Sequence, residues 1–192
     1  SLPAARDWPR AARLSDGRVL VMGGNNGSTA QSTVYRYDPT ADSWTTVASL
    51  PAARDRHAAA TLQDGRVLVI AGYSGSTAVS TVYRYDPTAD SWTTVAPLPA
   101  SLYWHTATTL LDGSVLAIGG YTGSANQSTV YRYDPTANSW SSAAALPVAQ
   151  RNHAAVTLLD GRVLLIGGYT SASQSTVYRY DPTADSWTTV AP

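Results

Sequence analysis

The sequence predicts an all-β chain of four β-propeller blades, each a four-stranded antiparallel sheet. Three observations lead there. First, the chain repeats at a fixed interval. Leu-Pro falls at Leu2-Pro3, Leu50-Pro51, Leu98-Pro99 and Leu146-Pro147, and Asp-Gly at Asp16-Gly17, Asp64-Gly65, Asp112-Gly113 and Asp160-Gly161, in steps of 48. A fixed period dictates architecture. Second, the 192 residues include no Lys, Glu or Phe and one Met. Strong helix formers are therefore scarce, while Val, Thr, Tyr and Trp, which suit strands, are plentiful. Third, each period holds four short apolar runs separated by turn residues.

The second repeat shows the parse. A short strand of small residues runs from His57 to Leu62. Asp64-Gly65 follows, a strong hairpin signal. The second strand, Arg66 to Ile70, ends in Ala71-Gly72, and a polar loop from Tyr73 to Ser80 leads into the third, Thr81 to Tyr85. Asp86-Pro87-Thr88-Ala89-Asp90 is a turn, with Pro presetting φ and Asp able to bond the backbone ahead. The fourth strand is Trp92 to Val95, and Pro97 and Pro99 then stop pairing. A sheet of this kind is apolar on both faces, and stacking such sheets radially buries them. The blades are expected at about residues 2–48, 49–96, 97–144 and 145–192 of a single unit. The Tyr-Arg-Tyr-Asp-Pro run begins at Tyr35, Tyr83, Tyr131 and Tyr178, so the last repeat lacks one residue between Gly168 and Ser175.

A glycine, a Tyr thirteen residues on and a Trp seven later recur as Gly24, Tyr37 and Trp44; Gly72, Tyr85 and Trp92; Gly120, Tyr133 and Trp140; and, with the deletion, Gly168, Tyr180 and Trp187. This pattern resembles the kelch repeat over the whole chain, and the WD-type signature is absent. The second repeat departs by carrying Ala71 where the others have the first glycine of a pair. The resemblance implies that the first strand of each blade lines a central channel and the fourth lies outermost. It also implies that Trp and Tyr pack near the glycine pair, where bulky rings would require close backbone approach.

Ser32–Ala48, Ser80–Ala96 and Ser175–Ala191 are identical, which fits either recent duplication or an engineered consensus repeat. The copies differ in two loops. One runs from the fourth strand into the next first strand, and the other follows the glycine pair. In the kelch fold both sets emerge on one face around the channel mouth. By resemblance that face holds Trp8, Asn25, Arg56, His57, Tyr73, Trp104, His105, Tyr121, Asn152, His153 and Tyr169. Aromatic plates beside Arg, Asn and His suit a sugar or a peptide, although exposed loops also vary freely.

Other chemistry finds little support. Thirteen Arg balance thirteen Asp, and a neutral chain without a basic cluster argues against nucleic acid and against an anionic membrane surface. No apolar run approaches the roughly 20 residues that span a bilayer, and Ser1-Leu2-Pro3 carries no signal-peptide pattern. With no Cys, disulfides and thiolate sites are impossible and neither redox compartment is favoured. The kelch-fold copper oxidases need a Cys–Tyr cofactor, so that activity is excluded. The histidines share one repeat position whose fourth copy is Pro9. Such positions surround a channel rather than converge, so no metal or other cofactor is expected, and each His is expected to fix the start of its strand through a backbone hydrogen bond. Arg36, Arg84, Arg132 and Arg179 are expected to pair with turn aspartates such as Asp38 or Asp42. Arg10 and Arg13, where other blades have small residues, are read as channel-lining or as remnants of a natural first blade.

No catalytic set emerges, and the leading expectation is a non-enzymatic, structural or self-assembling module. The alternative is a carbohydrate- or peptide-binding domain. Four blades would make a tighter ring than the six or seven of most kelch propellers. The favoured assembly is a homodimer joined through the faces of blades 1 and 4, an eight-bladed ring with two-fold symmetry; a closed four-bladed monomer and a fragment of a longer chain or another assembly are the alternatives.

Overall fold

The computed structural model describes residues 1–190. They form sixteen strands and four sheets. Blade 1 holds β1 (Arg10–Arg13), β2 (Val19–Met22), β3 (Val34–Asp38) and β4 (Ser43–Val47). Blade 2 holds β5 (Ala58–Thr61), β6 (Val67–Tyr73), β7 (Ala78–Asp86) and β8 (Ser91–Val95). Blade 3 holds β9 (Thr106–Thr109), β10 (Val115–Ile118), β11 (Val130–Asp134) and β12 (Ser139–Ala143). Blade 4 holds β13 (Ala154–Thr157), β14 (Val163–Ile166), β15 (Val177–Asp181) and β16 (Ser186–Thr189). Strands within each sheet follow chain order and pair antiparallel. Among the described residues, no helix is long and apolar enough to cross a membrane.

The first strands of successive blades lie side by side. The Thr61 hydroxyl donates to the Arg13 carbonyl at 3.1 Å, Thr109 to the Thr61 carbonyl at 2.8 Å, and Thr157 to the Thr109 carbonyl at 2.9 Å. Farther out, each blade stacks its Tyr on its Trp with ring centroids 5.0 Å apart, as in Tyr85–Trp92. The Tyr85 hydroxyl donates to Asp90, and the same carboxylate oxygen accepts the Ala48 amide of blade 1. Asn138 does both jobs in blade 3 through its side-chain carbonyl, so the exchange of Asp for Asn there preserves the link. The Trp92 indole returns a bond to the Ala48 carbonyl at 2.8 Å. Turn residues that recur from blade to blade thus tie neighbouring blades together.

The first residue of the glycine pair serves the blade junction, and the second is crowded by the loop entering its own blade's first strand, where a Cβ on Gly72 would stand 2.8 Å from the Asp55 carbonyl. A Cβ on Gly23 would stand 2.5 Å from the Arg54 carbonyl and 3.1 Å from the His57 ring, both belonging to the next blade. Ala71 occupies that position in blade 2 at φ +52°, a left-handed conformation that is strained for a residue with a Cβ. There β6 and β7 continue past a register shift between Ile70 and Gly72.

The strand arginines depart from expectation. In blades 1, 2 and 4 the hairpin carboxylates of Asp16, Asp64 and Asp160 pair with Arg18, Arg66 and Arg162, two residues on. Asp38 and Asp42 are occupied otherwise. Asp38 accepts the Thr40 and Ala41 amides, and Asp42 accepts the Tyr37 hydroxyl. Only in blade 3, where Ser114 replaces the hairpin arginine, does Arg132 reach a carboxylate, that of Asp112. Among the described residues, Arg36, Arg84 and Arg179 make no ion pair. Arg13 is exposed. Arg10 is partly buried and donates to the Pro9 carbonyl at 3.3 Å, and burial pulls its pKa down.

Candidate functional site

The residue after each glycine pair bonds back to the loop entering the same blade's first strand. Asp7 and Asn25 exchange backbone hydrogen bonds of 2.8 Å in both directions. Asp55 and Tyr73, Tyr103 and Tyr121, and Arg151 and Tyr169 form the same bridges. These bonds bring the two variable loop sets of every blade together.

Trp8, Arg56, Trp104 and Asn152 occupy one repeat position, at φ of 51°, 53°, 57° and 57°. Left-handed backbone is costly for Trp and Arg. The next residue then turns inward. His57, His105 and His153 are consequently buried, beneath the face rather than on it. His57 lies against Gly23, and His153 against Gly119, each of the preceding blade. His153, protonated at Nε2, donates to the Ile118 carbonyl at 3.0 Å. That bond clamps two blades and does not fix the start of β13. His57 and His105 have no ring hydrogen bond among the described residues. Burial pushes His105 down to about 3 and His153 to about 4. His57 is also driven well below its ordinary value by burial, and the nearby Arg10 and Arg54 charges add to it. Among the described residues no three His, Cys, Asp or Glu side chains gather as a metal would need.

Above the histidines, rings and guanidiniums alternate across the blades. The Arg56 guanidinium carbon lies 4.0 Å from the Trp8 ring centroid and 5.2 Å from that of Trp104. Arg151 follows, 4.9 Å from Trp104, 4.3 Å from Tyr121 and 5.1 Å from Tyr169. Such stacks hold guanidiniums in place by cation–π attraction. Asn152 bonds by its backbone to the Trp104 carbonyl.

A pocket of 620 Å³ opens beside this row, lined by loops of blades 1, 2 and 3. Its floor carries Asp55, which is 0 % exposed. Asn25 donates its side-chain amide to Asp55 Oδ2 at 2.9 Å. Arg56 pairs with Oδ1 at 3.2 Å, yet that oxygen has no hydrogen-bond geometry with any described residue. Tyr73, Tyr103 and Trp104 supply rings, and Ser28, Thr29 and Ser74 hydroxyls. Asn25, Arg56, Tyr73 and Trp104 thus meet at one pocket. Tyr121 and Tyr169 gather around Arg151, and Trp8 caps Arg56. Asp55, Tyr103 and Arg151 fall outside the sequence-derived set. Their signal was available, because that repeat position reads Asp, Asp, Tyr, Arg along the chain.

Beneath Asp55 lies Arg54, 1 % exposed. It donates to the Ala71 and Thr81 carbonyls at 3.1 and 2.9 Å and to the Thr81 hydroxyl at 2.9 Å. Its guanidinium carbon sits 4.1 Å from the Tyr83 ring centroid. Burial lowers its pKa to about 10. This buried cation fixes both ends of the loop that carries Tyr73.

A family model for the KLHDC2/KLHL20/DRC7 kelch-repeats domain matches residues 10–192. The chain belongs to the kelch-repeat family. A search of curated proteins finds no match to it. The pocket therefore sits on a kelch propeller, at the loops that follow the glycine pairs of successive kelch blades.

Proposed function

We propose that this kelch propeller is a non-enzymatic binding module that takes a peptide segment across the row of Trp8, Arg56, Trp104 and Arg151. The observation that carries this reading is the alternation of aromatic rings with guanidiniums at strained positions, beside a pocket floored by a buried carboxylate. Strained backbone persists where the surroundings over-determine it, often at binding sites. Arg151 has no carboxylate partner among the described residues. Among the described residues its one side-chain hydrogen bond is to Asn126 Oδ1, at 3.3 Å. A peptide carboxylate would supply the charge-assisted bonds that a guanidinium favours. Asp55 and the pocket hydroxyls would bind peptide amides.

A sugar is the second reading, favoured by the exposed Trp8 and Tyr169 rings. It is the less favoured, because guanidiniums already lie beside the Trp104 ring on which a sugar would stack. An immobilised peptide library and a glycan array, each probed with the wild type and with Arg151→Ala and Trp104→Ala, separate the two. Peptide hits rich in Asp or Glu that weaken at least about tenfold in both variants support the proposal. Hits confined to glycans, or hits that both variants keep, contradict it.

A further inference from the structure

Each internal junction has two sides, and the chain ends display one of each. Met22, Ile70 and Ile118 occupy one position in the second strands of blades 1, 2 and 3 and are fully covered by the following blade, whereas Ile166, their counterpart in blade 4, is 44 % exposed. On the other side, Tyr85, Tyr133 and Tyr180 are buried against the preceding blade, whereas Tyr37 of blade 1 is only half-buried. The two bare faces of one chain do not meet in this structure.

The unused bonding groups match in the same way. The Gly24, Gly72 and Gly120 amides donate to the Arg54, Leu102 and Gln150 carbonyls of the next blade. In return the Arg54, Leu102 and Gln150 amides donate to the Gln31, Val79 and Gln127 carbonyls. Among the described residues, the Gly168 amide and the Gln174 carbonyl have no such partner, and neither do the Arg6 amide and carbonyl at the other end. The Leu50, Leu98 and Leu146 amides donate to the Ser32, Ser80 and Ser128 carbonyls, while Leu2 and Ser175 have no equivalent bond among the described residues. The Trp92, Trp140 and Trp187 indoles donate to the blade before. Trp44 has no acceptor among the described residues, and the acceptor that the repeat assigns it, residue 191, lies outside them. A Cβ on Gly65, Gly113 or Gly161 would touch the preceding blade's hairpin, but one on Gly17 would touch nothing within 4 Å.

We infer that a second copy of this chain covers both faces, blade 4 of each copy packing on blade 1 of the other, to close an eight-bladed ring. The three internal junctions are the template. Gly168 donates to the partner's Arg6, whose amide donates to Gln174, and Ile166 is buried as Ile70 is. Propellers typically hold four to eight blades. Two sets of these four blades make eight, within that range. The two new junctions are alike and related by the two-fold axis, so the assembly is closed. The junction position of the histidines is Pro9 at this interface, so no buried histidine lies between the copies.

Light scattering coupled to size exclusion tests the inference without any ligand. The expected mass is twice the 20.3 kDa of one chain. Ile166→Asp, at a position already half-exposed in the single chain, is expected to give a folded single chain with an unchanged circular dichroism spectrum. Its dissociation constant should rise at least about 30-fold. Val148→Asp, equally exposed at 44 % but on the loop between blades 3 and 4, should stay dimeric. A folded wild type at the mass of one chain, a species of three or more chains, or a dimer unmoved by Ile166→Asp would each overturn it.

Discussion

Blades 2 and 4 share one sequence over Ser80–Ala96 and Ser175–Ala191, yet their second strands differ in how much is buried. In β6 the residues Val67 to Gly72 are all buried, while in β14 the burial alternates and ends on the bare Ile166. The difference lies in the neighbours. Blade 2 has one on each side; blade 4 has one, so its far face stays open. A kelch blade does not bury its own faces, and its stability is in large part an interface quantity. The same holds within the site. Arg54 of blade 2 is locked under the loop that carries Tyr73, whereas its counterpart Arg6 reaches Thr33 and Tyr35 at 3.2 and 3.4 Å from a partly exposed position.

That comparison can be broken in several ways, and the largest effect is on pH. Every internal junction holds one buried histidine, with a folded pKa below the unfolded value of 6.5. Above pH 6.5 these rings are neutral in both states, and the full stability is present. As pH falls through 6.5 the unfolded chain takes up protons that the folded chain refuses. Each histidine then removes about 1.4 kcal/mol per pH unit, down to about pH 4 for His153 and about pH 3 for His105. Urea midpoints should therefore drop steeply between pH 6.5 and 5; a flat profile there would contradict the burial of the three rings.

Next comes a matched pair. Ile70→Ala should cost about 2–5 kcal/mol, whereas Ile166→Ala measured in the Ile166→Asp-type monomeric regime, at concentrations below dissociation, should cost less than about 1 kcal/mol. Equal losses in denaturant unfolding would mean that blade 4 is not bare in the single chain. A second pair is Arg54→Ala against Arg6→Ala. The first removes three hydrogen bonds and a ring stack and should cost about 2–3 kcal/mol, the second under about 1 kcal/mol. The smallest effect sharpens the junction itself. Ala71→Gly relieves a left-handed alanine and should raise stability by about 0.5–1 kcal/mol in the same assay, whereas Gly119→Ala should lower it, because a Cβ there would stand 2.7 Å from the Gln150 carbonyl.

The blades were legible because each repeated signal is local: Asp-Gly closes a hairpin, and Asp-Pro-Thr-Ala-Asp or its Asn variant closes a turn. What joins blades was less legible. The glycine pair reads as room for a ring, but the backbone and histidine that crowd its first glycine come from the next repeat, which periodicity alone does not place. The histidines read as surface groups because they sit in a variable loop. One left-handed residue before each of them reverses the alternation and turns the ring inward, and a positive φ at Trp or Arg has no sequence signature. Three of the strand arginines find no carboxylate because the turn aspartates are taken by backbone amides and a Tyr hydroxyl, as Asp38 and Asp42 are, and the hairpin aspartates by arginines two residues on. Arg151 and Asp55 lie in a loop that the repeat marks as variable, but their roles depend on contacts across blades, with Trp104, Tyr121 and Asn25.

Hydrogen exchange at one amide tests the closing interface most directly. The Gly24, Gly72 and Gly120 amides donate to the next blade, whereas the Gly168 amide has no acceptor among the described residues, and the inferred second copy would supply one. In the wild-type protein the Gly168 amide should be protected to the level of those three, and in Ile166→Asp it alone of the four should exchange freely. A Gly168 amide that exchanges freely in the wild type while Gly72 and Gly120 remain protected would contradict the account.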